Sequence, residues 1–438
     1  MVLVLLLYIK MNIDKIIKNK KIKNKDSLIY NLIKKNGNGI VKSLNYYYSN
    51  GITDINQMIK IETEYNNKKS LKLSRNSNEI LKFKGKKCII FNSDFMVCKD
   101  NLKENHEYGL RQLIKILKNN NWTVYVNKGK GDSLEYIEDV NILIKYSNCN
   151  TPFSQRYFNN NSIDLVFGGV QNQWVDKFIN KYEIYKYNFP FTSKIPSIKL
   201  NDYISEKQFE EYKSYIYKNK NDIEYDYFII KPLFSYSGNG IFYLDVNSNF
   251  DELNKQLNPK LFPYVLQPLI KNITRFNNKV NHIRIHILVS CFLTKNNDYI
   301  IDISLYDKYL ILLAKDSKSF DSHGKTTDKF RTFQDYYTDY DTKLNLKSIT
   351  KEIKEIVNTF EEIIRLNFKT INGDNYFIYN DRKSTFSLFA ADLMITKEGH
   401  IKLIELNYKV GTKFWKENKK EMYDFFNWIY ENGIKPME

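Results

Sequence analysis

A chain of 438 residues is long enough for two or three domains with sizeable cores. Its 42% hydrophobic and 15% aromatic content excludes a chain that is unfolded throughout. The formal net charge of +17 points to an acidic partner. The basic residues are scattered apart from Lys15–Lys25. With no RNP-like motif, zinc finger or basic helix with interleaved aromatics, nucleic acid is the minority reading.

The four cysteines, Cys88, Cys98, Cys149 and Cys291, form no C-x-x-C pair, so neither a zinc site nor a disulfide framework is expected. Reduced thiols and a cytoplasmic setting are. Met1–Leu7 is apolar but too short to span a bilayer. It lacks the basic flank and cleavage site of a signal peptide, so no membrane association is expected.

In chain order, residues 1–80 are Lys/Asn-rich with weak periodicity and read as a variable, partly disordered region. From 81 to about 192 strands alternate with helices: strands at 88–92, 122–126 and 140–144, and a helix at 106–120 with Leu110, Leu113, Ile114 and Leu117 at helical spacing. That alternation predicts an open α/β domain. A Pro-marked connection follows. A lobe over 193–277 then holds a helix at 205–218 and strands at 227–232, 241–244 and 263–268. The last lobe, 278–438, carries long strands at 282–293 and 298–305, an amphipathic helix at 348–366, a hairpin, and a C-terminal helix near 415–432.

The hairpin carries the strongest chemical signal. Two apolar strands flank a turn centred between Glu398 and Gly399. Counting outward sets Asp392 opposite Glu405, and Asn407 falls on the same face. Opposed residues on an antiparallel pair have Cβ atoms about 4.5–5.5 Å apart, so two carboxylates repel each other there and lose hydration. Three oxygen side chains converging in an apolar setting suggest a hard cation, Mg²⁺ held with a phosphate substrate. The competing reading is a solvated edge hairpin with an incidental acidic pair.

Two further constellations support a phosphate ligand. Lys231 ends an apolar strand and leads into Phe234-Ser-Tyr-Ser237-Gly238-Asn-Gly240. Glycines there allow backbone N–H groups to approach anions closely; a plain hairpin turn is the alternative. On the strand His282-Ile-Arg284-Ile-His286 the polar residues share one face, which is expected to border water or a cleft. Arg284 suits a γ-phosphate through its fork of donors. Metal binding by the two histidines is not expected, because a β-branched strand does not bring His-x₃-His rings together. The layout anticipated is Lys and Arg on one side and the acidic trio on the other. Walker A and protein-kinase motifs are absent from the sequence.

In this order the motifs resemble the tubulin–tyrosine ligase family, over about Ile195 to Lys413. The stretches that carry the resemblance are Ile195-Pro-Ser-Ile-Lys-Leu, Tyr227-Phe-Ile-Ile-Lys231-Pro, Phe234 to Ile241, Val265-Leu-Gln267, His282-Ile-Arg284-Ile, Phe389-Ala-Ala-Asp392-Leu-Met and Ile404-Glu405-Leu-Asn407. The resemblance implies an ATP-grasp fold of α/β (α+β) class. An N-terminal open α/β domain would precede two lobes enclosing an ATP cleft.

The resemblance also implies an ATP- and Mg²⁺-dependent ligase that joins a free amino acid to an acidic, tubulin-like protein tail through an acyl phosphate. Lys231 and Arg284 would hold the phosphates. Ser237, Gly238 and Gly240 would form the loop over them, and Gln267 would border the adenine. Asp392, Glu405 and Asn407 would hold the metal. Two departures stand out. Val280 and His282 replace the family's Lys and Asp before the strand Arg, and a second Arg expected after Tyr306 is missing, with Lys308 and Lys315 the nearby cations. A ligase for another protein or peptide, and a relative that binds nucleotide or an acidic partner without turnover, remain the alternatives.

Overall fold

The computed structural model describes residues 79–91, 105–127, 137–145, 164–167, 181–182, 184, 195–201, 204–218, 225–233, 240–276, 278–296, 299–314, 333, 345–367, 384–407 and 419–438. These belong to one compact unit spanning Ser70–Glu438. The region expected to be partly disordered lies, except for its last two residues, outside the described part. So do Cys98, Cys149, Ser237, Gly238 and Lys315. The chain is of mixed α/β class.

The strands are β1 (Lys87–Phe91), β2 (Thr123–Asn127), β3 (Ile142–Lys145), β4 (Leu165–Phe167), β5 (Ile198–Leu200), β6 (Tyr227–Pro232), β7 (Phe242–Asp245), β8 (Tyr264–Pro268), β9 (Asn281–Leu293), β10 (Tyr299–Leu305), β11 (Leu310–Leu313), β12 (Ser384–Ile395) and β13 (Ile401–Asn407). The helices are α1 (Asn105–Asn119), α2 (Glu206–Lys218), α3 (Phe250–Gln256), α4 (Leu346–Asn367) and α5 (Lys419–Ile429). Most fall where the periodicity places them. β4, β5 and α3 do not, because segments of three to seven residues are too short to show a period.

Nine strands make one sheet, in the order β10-β9-β12-β4-β3-β1-β2, with β11 beside β9 and β13 beside β12. β1 to β4 are mutually parallel, and β4 pairs in parallel with β12. The N-terminal α/β segment and the C-terminal lobe therefore share a sheet. The remaining strands form a second, antiparallel sheet, β5-β8-β6-β7.

Each sheet owes its core to alternation. On β9, Leu288 and Phe292 meet Ile90, Leu113, Leu117 and the helix face Met422, Phe425, Phe426, Ile429, an i, i+3, i+4, i+7 stripe. On the opposite face of this sheet Phe360 of α4 meets Phe389 edge-on, centroids 5.3 Å apart. In the small sheet Phe228, Ile230, Leu244, Tyr264 and Leu266 point to α2 and α3, where Phe209, Tyr212, Ile216 and Leu253 complete the core. The other face of the small sheet keeps its polar side chains. Cys88 and Cys291 are buried thiols, and burial pushes the Cys88 thiol well above its usual range. Among the described residues, no helix is long and apolar enough to cross a membrane.

Candidate functional site

The hairpin turn differs by one residue from its expected position. Thr396 N–H donates to His400 O at 2.9 Å and Gly399 N–H to Thr396 O at 3.0 Å, so Lys397, Glu398 and Gly399 form a three-residue loop centred on Glu398. Gly399 takes φ = 88°, the left-handed position such loops assign to glycine. The ladder then pairs Ile395 with Ile401, Met394 with Lys402 and Leu393 with Leu403, and skips Ile404 before pairing Asp392 with Glu405. The bulge at Ile404 cancels the displacement of the turn, so the two carboxylates are opposed as expected. Ile404 itself joins Met394 in an apolar cluster with Ile195, Ile270, Ile273 and Val280.

Arg284, Asp392 and Glu405 are directly opposed across β9, β12 and β13. Arg284 donates through Nε to Asp392 Oδ1 and through Nη2 to Asp392 Oδ2, both at 2.7 Å. The Asn407 amide donates to Asp392 Oδ2 at 3.1 Å and to Glu405 Oε1 at 3.0 Å. His282 Nε2 lies 3.7 Å from Asp392 Oδ2. Asp392 is 2% exposed, and a buried carboxylate needs this compensation. Burial alone would make the Arg284 guanidinium easier to deprotonate; the Asp392 charge and hydrogen bonds, with Glu405 behind them, more than offset it and raise its pKa.

This corrects the anticipated layout. Arg284 does not stand across from the acidic trio but on the same sheet, in the same row, bound to it. The polar face of β9, expected to border water or a cleft, is turned into the fold at both histidines. His282 and His286 are buried, and His286 lies edge-on to Phe425 at 4.8 Å. Burial, reinforced by Arg284, lowers the His286 pKa to about 3, so the ring is neutral.

The trio contains two carboxylates and an amide. Among the described residues no group of three or more His, Cys, Asp or Glu is placed to hold a metal ion. The donor set nonetheless fits a hard cation. The Asn407 N–H donors lie between the two carboxylates, where positive charge is most favoured, and a half-turn of the amide presents a third oxygen to the same point.

Lys231 and Gln267 lie on the second sheet. Its face turned away from α2 and α3 is built in rows: Ser197 faces Gln267, which pairs with Ile229, which pairs with Tyr243, and beside them Lys199, Val265 and Lys231 line up. Lys231 and Gln267 are buried, 9% and 2% exposed. Gly240, at the return into β7, has φ = 75°, and a Cβ there would meet Leu261 at 2.8 Å and Pro232 at 2.9 Å, so position and space both call for glycine.

Lys181 is a further candidate that no sequence motif marks. Its ammonium donates to Pro232 O, beside Lys231, at 3.2 Å, and it feels the charge of Glu405. Burial lowers its pKa, and Glu405 partly opposes this. Lys199 and Ser197 were also missed; strand alternation from Lys231 and Gln267, once the register is known, would have found both.

Lys308, considered as a replacement for the missing arginine, is committed elsewhere. It is paired with Glu421, and Asp424 lies 3.6 Å away, both on α5. The sequence matches no family model and no curated protein.

Proposed function

We propose that residues from Lys181 to Asn407 contribute to an ATP-grasp site that uses ATP and Mg²⁺ to join an amino acid to a protein, in the manner of the tubulin–tyrosine ligase family that the sequence resembles. The observation that carries this reading is the position of Lys181. Its ammonium donates to Pro232 O at the strand end of Lys231, and the Glu405 charge favours its protonated form, so it adds a second cation to that strand end for a phosphate chain to meet. Lys181 and Lys231 bind the phosphates as point charges. Gln267 borders the base. Mg²⁺ on Asp392, Glu405 and a turned Asn407 amide would supply charge neutralisation for phosphoryl transfer.

In the reaction a carboxylate oxygen attacks the γ-phosphorus and ADP leaves. An amine then attacks the acyl carbon of the acyl phosphate, loses a proton and expels inorganic phosphate, leaving an amide or isopeptide bond. Such transfer depends on positioning and fixed charge more than on a nucleophilic side chain. The net charge of +17 suits an acidic acceptor such as a tubulin tail. A second reading, nucleotide binding without turnover, is favoured by one observation: Arg284 and Lys308 are both held by carboxylates.

The test is Mg²⁺-dependent incorporation of labelled Tyr, Glu or Gly into tubulin, with ADP release measured alongside. Glu405→Gln is expected to lower turnover about a hundredfold or more while leaving the melting temperature nearly unchanged. A Glu405→Gln protein with full activity sinks the metal assignment. Thermal stabilisation by ATP with no incorporation into any acceptor supports binding alone, and neither ATP stabilisation nor ADP release overturns both readings.

A further inference from the structure

Gln267 is held in one orientation by a chain of hydrogen bonds whose direction is forced. Ser197 Oγ lies 2.8 Å from the Ile195 carbonyl oxygen. A carbonyl only accepts, so the serine hydroxyl must donate its proton there. Toward Gln267, 2.8 Å away, Ser197 can then only accept, and the partner atom must be the amide nitrogen. The Gln267 carbonyl oxygen is thereby turned away from Ser197.

This side chain is 2% exposed, and among the described residues its hydrogen bonding is limited to the one through nitrogen. The backbone around the pair is braced as well: the Tyr212 hydroxyl lies 3.1 Å from Pro196 O and 3.2 Å from Leu266 O, tying together the two strand ends that carry Ser197 and Gln267. The result is a fixed acceptor beside the apolar side chain of Ile229, in the row next to Lys231.

We propose that Ser197 is a positioning residue that fixes the Gln267 carbonyl oxygen toward the ligand, so that this wall selects a base with an exocyclic amino group over one with an oxo group at that place. The inference rests on the nucleotide reading above and adds to it the residue that sets base selectivity. An adenine amino group donates to the fixed oxygen. A hypoxanthine or guanine oxo group would set acceptor against acceptor and leave both buried without a donor. Ser197→Ala removes the constraint, and the amide is then free to turn and offer its N–H groups instead.

The experiment is equilibrium binding of ATP and of ITP, by calorimetry, to the full chain and its variants, with melting curves to confirm folding. The wild-type protein is expected to prefer ATP by at least roughly tenfold. Ser197→Ala is expected to lose most of that ratio, and Ser197→Thr, which keeps the hydroxyl, to retain it. A wild-type protein that binds ATP and ITP equally overturns the inference and leaves the nucleotide reading standing, as does a Ser197→Ala protein with an unchanged ratio. Binding of neither nucleotide overturns both.

Discussion

On the nine-stranded sheet, side chains removed from water find charge partners on neighbouring strands: Arg284 takes both oxygens of Asp392, and Asn407 bridges Asp392 to Glu405. On the four-stranded sheet Lys231 is buried too, but its neighbour Gln267 is neutral and is held through a hydroxyl and a backbone carbonyl. The first arrangement is closed on itself, and a ligand must compete with internal bonds to enter it. The second leaves an oriented acceptor at no electrostatic cost. A site made from both joins a wall that has to be opened to one that is already set.

The largest way to break this contrast is Arg284→Ala. It leaves Asp392 buried without its cation, and the expected loss is about 3–5 kcal/mol of folding stability, read from urea unfolding. A change under 1 kcal/mol would mean that the row is not closed by charge pairing.

Next comes pH. The His286 pKa of about 3 in the folded protein lies below its ordinary 6.5, so between those values the unfolded chain binds a proton that the folded one excludes. The contribution is whole above pH 6.5 and is lost as pH falls through the window toward 3, by up to about 1.4 kcal/mol per pH unit. His286→Leu is expected to flatten the dependence of the urea midpoint on pH between 5 and 6.5; an unaltered slope would count against a buried neutral ring.

The smallest effect is expected on the other sheet. Gly240→Ala meets a positive φ and two side-chain ends at under 3 Å, costing about 1–2 kcal/mol. It should weaken ATP binding while leaving the hairpin network intact, and equal stability to the wild type would show that the return into β7 is not constrained there.

Legibility in the sequence varied with how local the cause is. The pairing of Asp392 with Glu405 could be counted from the turn, yet it holds through two departures that no count foresees: a longer loop at Gly399 and a bulge at Ile404. Alternation correctly set His282, Arg284 and His286 on one face but could not say that this face meets Asp392 and Phe425 instead of solvent, because burial depends on which strand comes to lie beside β9. Lys181 has no patterned neighbours, and its hydrogen bond to Pro232 emerges only in the folded chain. The ATP-grasp reading rests on motifs, and the two sheets agree with its α/β class.

The parallel pairing of β4 with β12 has a consequence for how the protein is made. Leu165–Phe167 leave the ribosome roughly two hundred residues before Ser384, their partner in the ladder. At about 5–20 residues per second the nascent chain carries that apolar strand edge uncovered for on the order of 10–40 s. An unpaired edge of this kind is a template for wrong pairing, so chaperone cover during synthesis of the segment between β4 and β12 would protect the chain.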